Sequence, residues 1–193
     1  ELVRDIMLST SGLYSNRMLG PSVRPPQPAG ATSLAYGNTS WPASTGADRY
    51  RRSLYTFSKR TAPFAAYLTF DGPSGENCIA RRNRSNTPLQ ALTLLNDEMF
   101  MEMALAIAKV EMRQQADSAA QRITRIFRRL LTRPPSQQEL AALLEFHQTQ
   151  LQRLNQGEID PATLAGESAS AELAASVMVA RVLLNLDEAI TRQ

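Results

Sequence analysis

Five prolines and four glycines fall between residues 20 and 48 (Pro21, Pro25, Pro26, Pro28 and Pro42; Gly20, Gly30, Gly37 and Gly46), and no apolar period survives among them. Proline fixes φ and removes a backbone donor, and glycine loosens the chain, so neither a helix nor an interior strand can run through this stretch. The chain is thereby divided into a short N-terminal piece and a long C-terminal one. An irregular stretch of this length is uncommon inside a compact domain. It must wrap over the domain surface, pack against polypeptide beyond this sequence, or stay mobile.

Order resumes on either side. Leu2, Val3, Ile6 and Met7 recur at helical spacing, and Gly12 supplies a stop. Residues 50–58 and 65–70 have the composition of strands: Tyr55 and Phe57 alternate with Leu54 and Thr56, and the text from Asp71 to Gly75 is that of a turn. From residue 87 the pattern is helical. Thr87-Pro88-Leu89-Gln90 reads as a cap, an N1 proline and a capping-box glutamine, opening a helix to about Arg113 with Leu92, Leu95, Met99, Met103 and Ile107 on its inner stripe. A second helix over 119–132 turns Ile123, Ile126, Phe127, Leu130 and Leu131 inward and stops at Pro134-Pro135. Ser136 to Glu139 is another capping box, opening a helix with Leu140, Leu143, Leu144, Phe146 and Leu151 inward. Residues 155–168 read as a loop. A last helix over 169–191 is apolar on nearly all sides, which places it centrally.

The fold expected is therefore mainly α: an antiparallel bundle of about four helices over 87–193, with residues 1–86 a loop-rich segment carrying the first helix and a small β-ribbon, all one domain. The 193 residues, 43% apolar and 20% charged, are ordinary for a globular chain. Because Glu1 opens directly into helical text, the chain reads as the C-terminal part of a longer polypeptide. The most apolar run, Val177 to Leu186, is interrupted by Arg181 and Asn185, so no membrane span is expected.

Cys78 is the one cysteine and His147 the one histidine. Zinc sites draw on clusters of such residues, and covalent haem attachment through CxxCH needs two cysteines, so no metal site and no cofactor is expected within this chain. His147 beside an inward Phe146 reads as a satisfied surface or boundary residue, and Cys78 as inert. Ser74 stands outside any GxSxG, and no phosphate loop exists. Asp97-Glu98 and Asp187-Glu188 are adjacent on helices, so each pair splays apart. Asp71, in a turn, is the one weak catalytic candidate; as a turn acceptor it needs no chemistry. Catalysis by this chain alone is disfavoured.

The net charge of +3 is unevenly spread. The window from Arg49 to Arg84 holds eight basic and two acidic residues, +6, leaving −3 for the rest. Arg51, Arg52, Lys59 and Arg60 interleave with Tyr50, Tyr55 and Phe57, and Arg81, Arg82 and Arg84 follow. Guanidinium forks suit carboxylates, phosphates and sulfates, and aromatic faces stack on sugars or bases. Arg51, Arg52, Tyr55, Lys59, Arg60, Arg81, Arg82 and Arg84 are thus the candidate ligand-binding residues. In a loop-rich region the same arginines can instead brace buried carbonyls. A second run, Arg122, Arg125, Arg128, Arg129 and Arg133, lies off the apolar stripe of its helix and reads as a solvated or partner-facing surface. Without a recognition motif, nucleic acid is a disfavoured partner.

One block is specific enough to suggest kinship: Arg51-Arg-Ser-Leu-Tyr-Thr-Phe-Ser-Lys-Arg-Thr-Ala-Pro63, then Thr69-Phe-Asp-Gly-Pro73, Arg81-Arg82, and Ser85-Asn-Thr-Pro-Leu-Gln-Ala-Leu92 with Leu94-Leu-Asn-Asp97. It resembles the C-terminal region of the planctomycete cell-surface family known as domain of unknown function 1553, found beside c-type cytochrome domains. Gly20 to Pro28, Leu130 to Leu140 and Leu183 to Glu188 extend the likeness over nearly the whole chain. Ser85 stands where that family usually has Thr, and the 155–168 loop is longer. The resemblance implies a periplasmic, secreted or cell-surface multidomain protein with any haem c elsewhere in it, and supplies no catalytic residues. The expected role is a non-catalytic interaction or scaffold domain holding an anionic polysaccharide or another domain of the same polypeptide. Part of an enzyme on surface polysaccharide and nucleic-acid binding are the alternatives.

Overall fold

The computed structural model describes residues 1–31, 40–73, 75, 78, 80–114 and 118–191. Gly37, Ser74 and Glu76 lie outside the described residues. The chain is mainly helical and divides into two compact units, one of residues 1–9 and 13–100, the other of residues 10–12 and 101–193.

α1 (Leu2–Ser11), with its residues 2–9 in the first unit, ends at Gly12, whose φ of +76° is the left-handed value that glycine adopts without strain. Its buried positions are Arg4, Met7, Leu8 and Ser11, while Leu2 is 76% exposed. The inner face is thus displaced from the purely apolar one expected, and an arginine lies at its centre. The described residues of the Pro/Gly stretch, 20–31 and 40–48, bond and pack within this unit. Val23 N–H donates to the Tyr55 carbonyl at 2.8 Å, and Phe57 N–H to the Val23 carbonyl at 2.7 Å. Trp41 donates to the Pro25 carbonyl at 2.7 Å and stacks on Phe64, which meets Tyr67 edge-on. Within this irregular half, aromatic packing does the work that periodic side chains do in a helix. Residues 32–39 of the stretch lie outside the described residues.

The β-ribbon is absent from the described residues. Residues 46–50 and 53–55 form 3-10 turns, and 65–69 is a short helix, α2 (Ala65–Thr69). Among the described residues there are two isolated parallel bridges, Ser15 with Arg51 and Val23 with Thr56. In residues 50–58 the bridged positions Arg51 and Thr56 are extended between these turns, and their neighbours at residues 15 and 23 are single residues and not strands.

α3 (Pro88–Asn96) begins with the capping box read from the sequence: Gln90 N–H donates to Thr87 Oγ1, and Thr87 N–H donates to Gln90 Oε1. The long helix expected beyond it is broken. Asp97 takes extended backbone and accepts Met99 N–H at 3.0 Å, capping α4 (Glu98–Arg113). The break rotates Leu92 to the surface, 56% exposed, while Met99, Met103 and Ile107 are fully buried.

In the second unit, α5 (Ala119–Leu131) buries the five residues expected of it. It ends where Thr132 turns left-handed, at φ +60°. α6 (Gln137–Asn155) opens at the Ser136 capping box and buries Leu143, His147 and Leu154. The 155–168 loop contains a short helix, α7 (Pro161–Ala165), announced by an Asp160 cap and an N1 proline. α8 (Ala171–Leu184) packs on α5, α6 and α7, with Ala174, Ala175, Val177, Val179, Ala180 and Leu183 all at 1% exposure or less. The apolar segment expected to run on to residue 191 stops at Asn185, and α9 (Asp187–Ile190) follows.

Candidate functional site

The candidate residues separate by where their guanidinium groups go. Arg51 is 1% exposed. Its Nη1 donates to the Pro21 carbonyl at 3.0 Å, and its Nη2 to the carbonyls of Leu19 at 2.5 Å and Arg17 at 3.4 Å. The group lies 3.9 Å over the Tyr55 ring, whose hydroxyl accepts Leu19 N–H at 2.9 Å. Arg51 and Tyr55 therefore hold the 17–21 backbone, and Arg51 is removed from the ligand surface expected of it. Buried carbonyls without a donor are costly, and an irregular segment has no ladder to supply one.

Arg4 does the same for the turns around Arg51, and the sequence reading missed it. At 3% exposure it donates to the carbonyls of Arg51 at 2.7 Å and Arg49 at 3.0 Å. Desolvation holds its pKa below the ordinary arginine value. The one available signal was its place on the buried face of α1. Arg49 is paired with Glu98 at 2.5 Å. Arg52 is half-buried, with its Nε enclosed and without a hydrogen-bond partner. Lys59 is half-buried.

Asp71 is also occupied. Left-handed at φ +56°, it accepts Ser85 N–H at 2.7 Å and the Ser85 hydroxyl at 2.8 Å. Gln90 Nε2 then donates to Ser85 Oγ at 3.1 Å and to the Thr69 carbonyl at 3.0 Å. Gly72 completes this knot, because a Cβ there would stand 2.6 Å from the Tyr67 carbonyl oxygen. The sequence blocks around Asp71, Ser85 and Gln90 thus tie one another together, and Asp71 acts as a structural acceptor.

Arg60, Arg81, Arg82 and Arg84 remain outward, all exposed. Arg82 makes a surface ion pair with Glu1 at 2.8 Å while staying 56% exposed. Arg81, Arg82, Asn83 and Arg84 line an open depression of about 360 Å³. The segment is fixed at Ser85 by Asp71, so three cations are displayed on one short anchored loop.

The second arginine run is mostly paired. Arg125 and Arg129 both donate through Nε to Glu111, a carboxylate 2% exposed, each at 2.9 Å. Arg122 bonds Glu172. Arg133 forks onto Glu139 at 2.7 and 2.9 Å and onto Glu188 at 2.7 and 2.8 Å. That arrangement draws Glu139 down to about 2, with help from Ser136 N–H. The partners come from other helices, and for that reason a local scan for acids among the arginines finds none. Of the run, only Arg128 is exposed.

His147 is buried, at 2%, which corrects the boundary position expected. Its Nε2 has no hydrogen-bond partner and lies 3.6 Å from Glu172. Desolvation lowers its pKa, Glu172 opposes this, and Arg122 adds to it. Cys78 is exposed and free. Among the described residues no three His, Cys, Asp or Glu side chains converge on a metal position, and no helix is long and apolar enough to cross a membrane.

Residues 1–147 match the family model described as a protein of unknown function, DUF1553, also called PSD1. The chain belongs to the DUF1553 family. The likeness read from the central block therefore holds, and the matched region includes both the arginine braces and the knot at Asp71. No curated protein and no solved structure matches the chain.

Proposed function

We propose that this DUF1553 chain is a non-catalytic interaction domain whose loop 81–84, with Arg60, holds an anionic partner. The observation that carries the reading is the exposure of Arg81, Arg82 and Arg84 on a loop anchored at Ser85 by Asp71, and of Arg60, while the guanidinium groups of Arg4 and Arg51 are buried. Guanidinium groups displayed in this way suit sulfates or carboxylates on a glycan, or carboxylates on a neighbouring domain of the same polypeptide. The setting that goes with the reading is a planctomycete extracytoplasmic multidomain protein, with any haem c carried by another part of it. In the same reading α4, α5, α6 and α8 form an antiparallel bundle.

Heparin serves as a probe polyanion. Arg60→Ala, Arg81→Ala, Arg82→Ala and Arg84→Ala combined should elute from immobilised heparin at clearly lower salt than the parent, because each lost cation removes a screened contact. Equal elution of the two proteins would end this reading.

A further inference from the structure

The last turn of α5 and the short α9, both in the second unit, border a cavity of about 540 Å³ lined by Leu130, Leu131, Thr132, Asp187, Glu188 and Thr191. Its polar side chains present acceptors. Asp187 and Glu188 are carboxylates, and both threonine hydroxyls have already given up their protons. Thr132 Oγ1 donates to the Leu131 carbonyl at 2.7 Å, and Thr191 Oγ1 donates to the Asp187 carbonyl at 2.8 Å. The N–H groups of the same threonines are taken too, by the carbonyls of Arg128 at 2.9 Å and Asp187 at 2.8 Å. Pro134 has no N–H with which to cover the Leu130 carbonyl, and no other donor among the described residues reaches it. The C-terminal end of α5 therefore adds partial negative charge here. Arg133 forks onto Glu139 and Glu188, which leaves one negative charge over. Asp187, exposed and outside any ion pair among the described residues, adds a second. Arg128 is exposed and does not line the cavity. The N–H groups of Asp187 and Glu188, in the first turn of α9, lie beside their own carboxylates, which turn an anion away.

We infer that this cavity between α5 and α9 is a binding site for an alkylammonium group, carried by a free amine or by a lysine side chain of a polypeptide. An ammonium has three donors and no acceptor. It matches a lining that offers a carboxylate, a carbonyl and hydroxyl oxygens. Its methylenes suit the apolar part of the lining, Leu130, Leu131 and Ala189. A divalent metal ion matches less well, because among the described residues no three His, Cys, Asp or Glu side chains converge. The site goes beyond the anion-binding reading and does not depend on it, since it takes the opposite charge and lies in the other unit.

The test is a titration of the whole chain at low salt, followed by amide chemical shifts in nuclear magnetic resonance. The probes are n-butylamine, butan-1-ol as its neutral counterpart, and the peptide acetyl-Gly-Lys-Gly-amide. Butylamine should give saturable shifts centred on residues 130–132 and 187–191, and butan-1-ol should not. Asp187→Asn should weaken butylamine about three- to fivefold, the range of one exposed ion pair. Asparagine keeps the shape of an exposed side chain, so the variant should hold its circular dichroism and melting temperature. Tighter binding of the peptide than of butylamine would assign the site to a polypeptide lysine, and equal or weaker binding to a free amine; both uphold it. Equal shifts from butan-1-ol, shifts that spread over the surface without saturating, or an affinity unchanged in Asp187→Asn would overturn the inference. Heparin elution should be the same for Asp187→Asn and the parent, so a failure here is distinct from a failure of the arginine loop.

Discussion

Arg51 and Arg81 carry the same side chain to opposite ends. Arg51 is enclosed on three carbonyls and an aromatic ring, and Arg81 stands in solvent. Replacing Arg51 with Ala leaves a cavity and unpaired carbonyls of residues 17–21, which should cost about 2–4 kcal/mol in a denaturant titration. Sequence could not separate these two arginines. The carbonyls that capture Arg51 lie about thirty residues upstream in irregular backbone, and no local period encodes that meeting. His147 provides a second test at this scale. Its folded pKa is lowered by burial, so the unfolded chain binds more protons as pH falls through the ordinary histidine range near 6.5. Stability should therefore be full above that range and decline as pH falls through it toward the folded value. The groups facing His147 are Glu172 on α8 and Arg122 on α5, already bonded to each other. In melts from pH 7.5 to 5, His147→Gln should show a smaller acid loss than the parent, and parallel curves would contradict this assignment.

At the scale of elements, what was legible was what is local. The boxes at Thr87 and Ser136 and the glycine stop after α1 need only neighbours within four residues, and all three stand as read. The Asp97 break was equally local, but the leucine and methionine stripe continued across it and masked the cap. Strand composition at 50–58 misled because the preference of aromatic and β-branched residues for strands depends on packing against a partner strand, and local composition does not report one. Ser136→Ala should destabilise the chain by about 1 kcal/mol, the usual loss for an N-cap hydroxyl. Its effect should be most visible as faster amide exchange in the first turn of α6. Asp71→Ala frees Ser85 and with it the anchored loop. The expected outcome is raised exchange over 81–86 with helix content kept, and unchanged exchange there would show that the loop has another anchor.

For the whole molecule, charge is the property that composition reported and structure redistributed. The +6 of residues 49–84 is not a continuous cationic surface, since Arg51 faces inward and Arg49 and Arg82 hold carboxylates. Among the described residues of the window, the exposed cations are Arg60, Arg81, Arg82 and Arg84, with Arg82 shared with Glu1. The acidic remainder is largely committed too, with Glu111, Glu139, Glu172 and Glu188 all gripping arginines. A paired comparison of Arg51→Ala with the combined Arg60, Arg81, Arg82 and Arg84 alanine variant tests this division most directly, with melting temperature and heparin elution read on both. The inward arginine should lower the melting temperature by roughly 4 °C or more and leave elution unchanged, while the outward set should elute early and melt with the parent. Early elution of Arg51→Ala at an unchanged melting temperature would contradict the account.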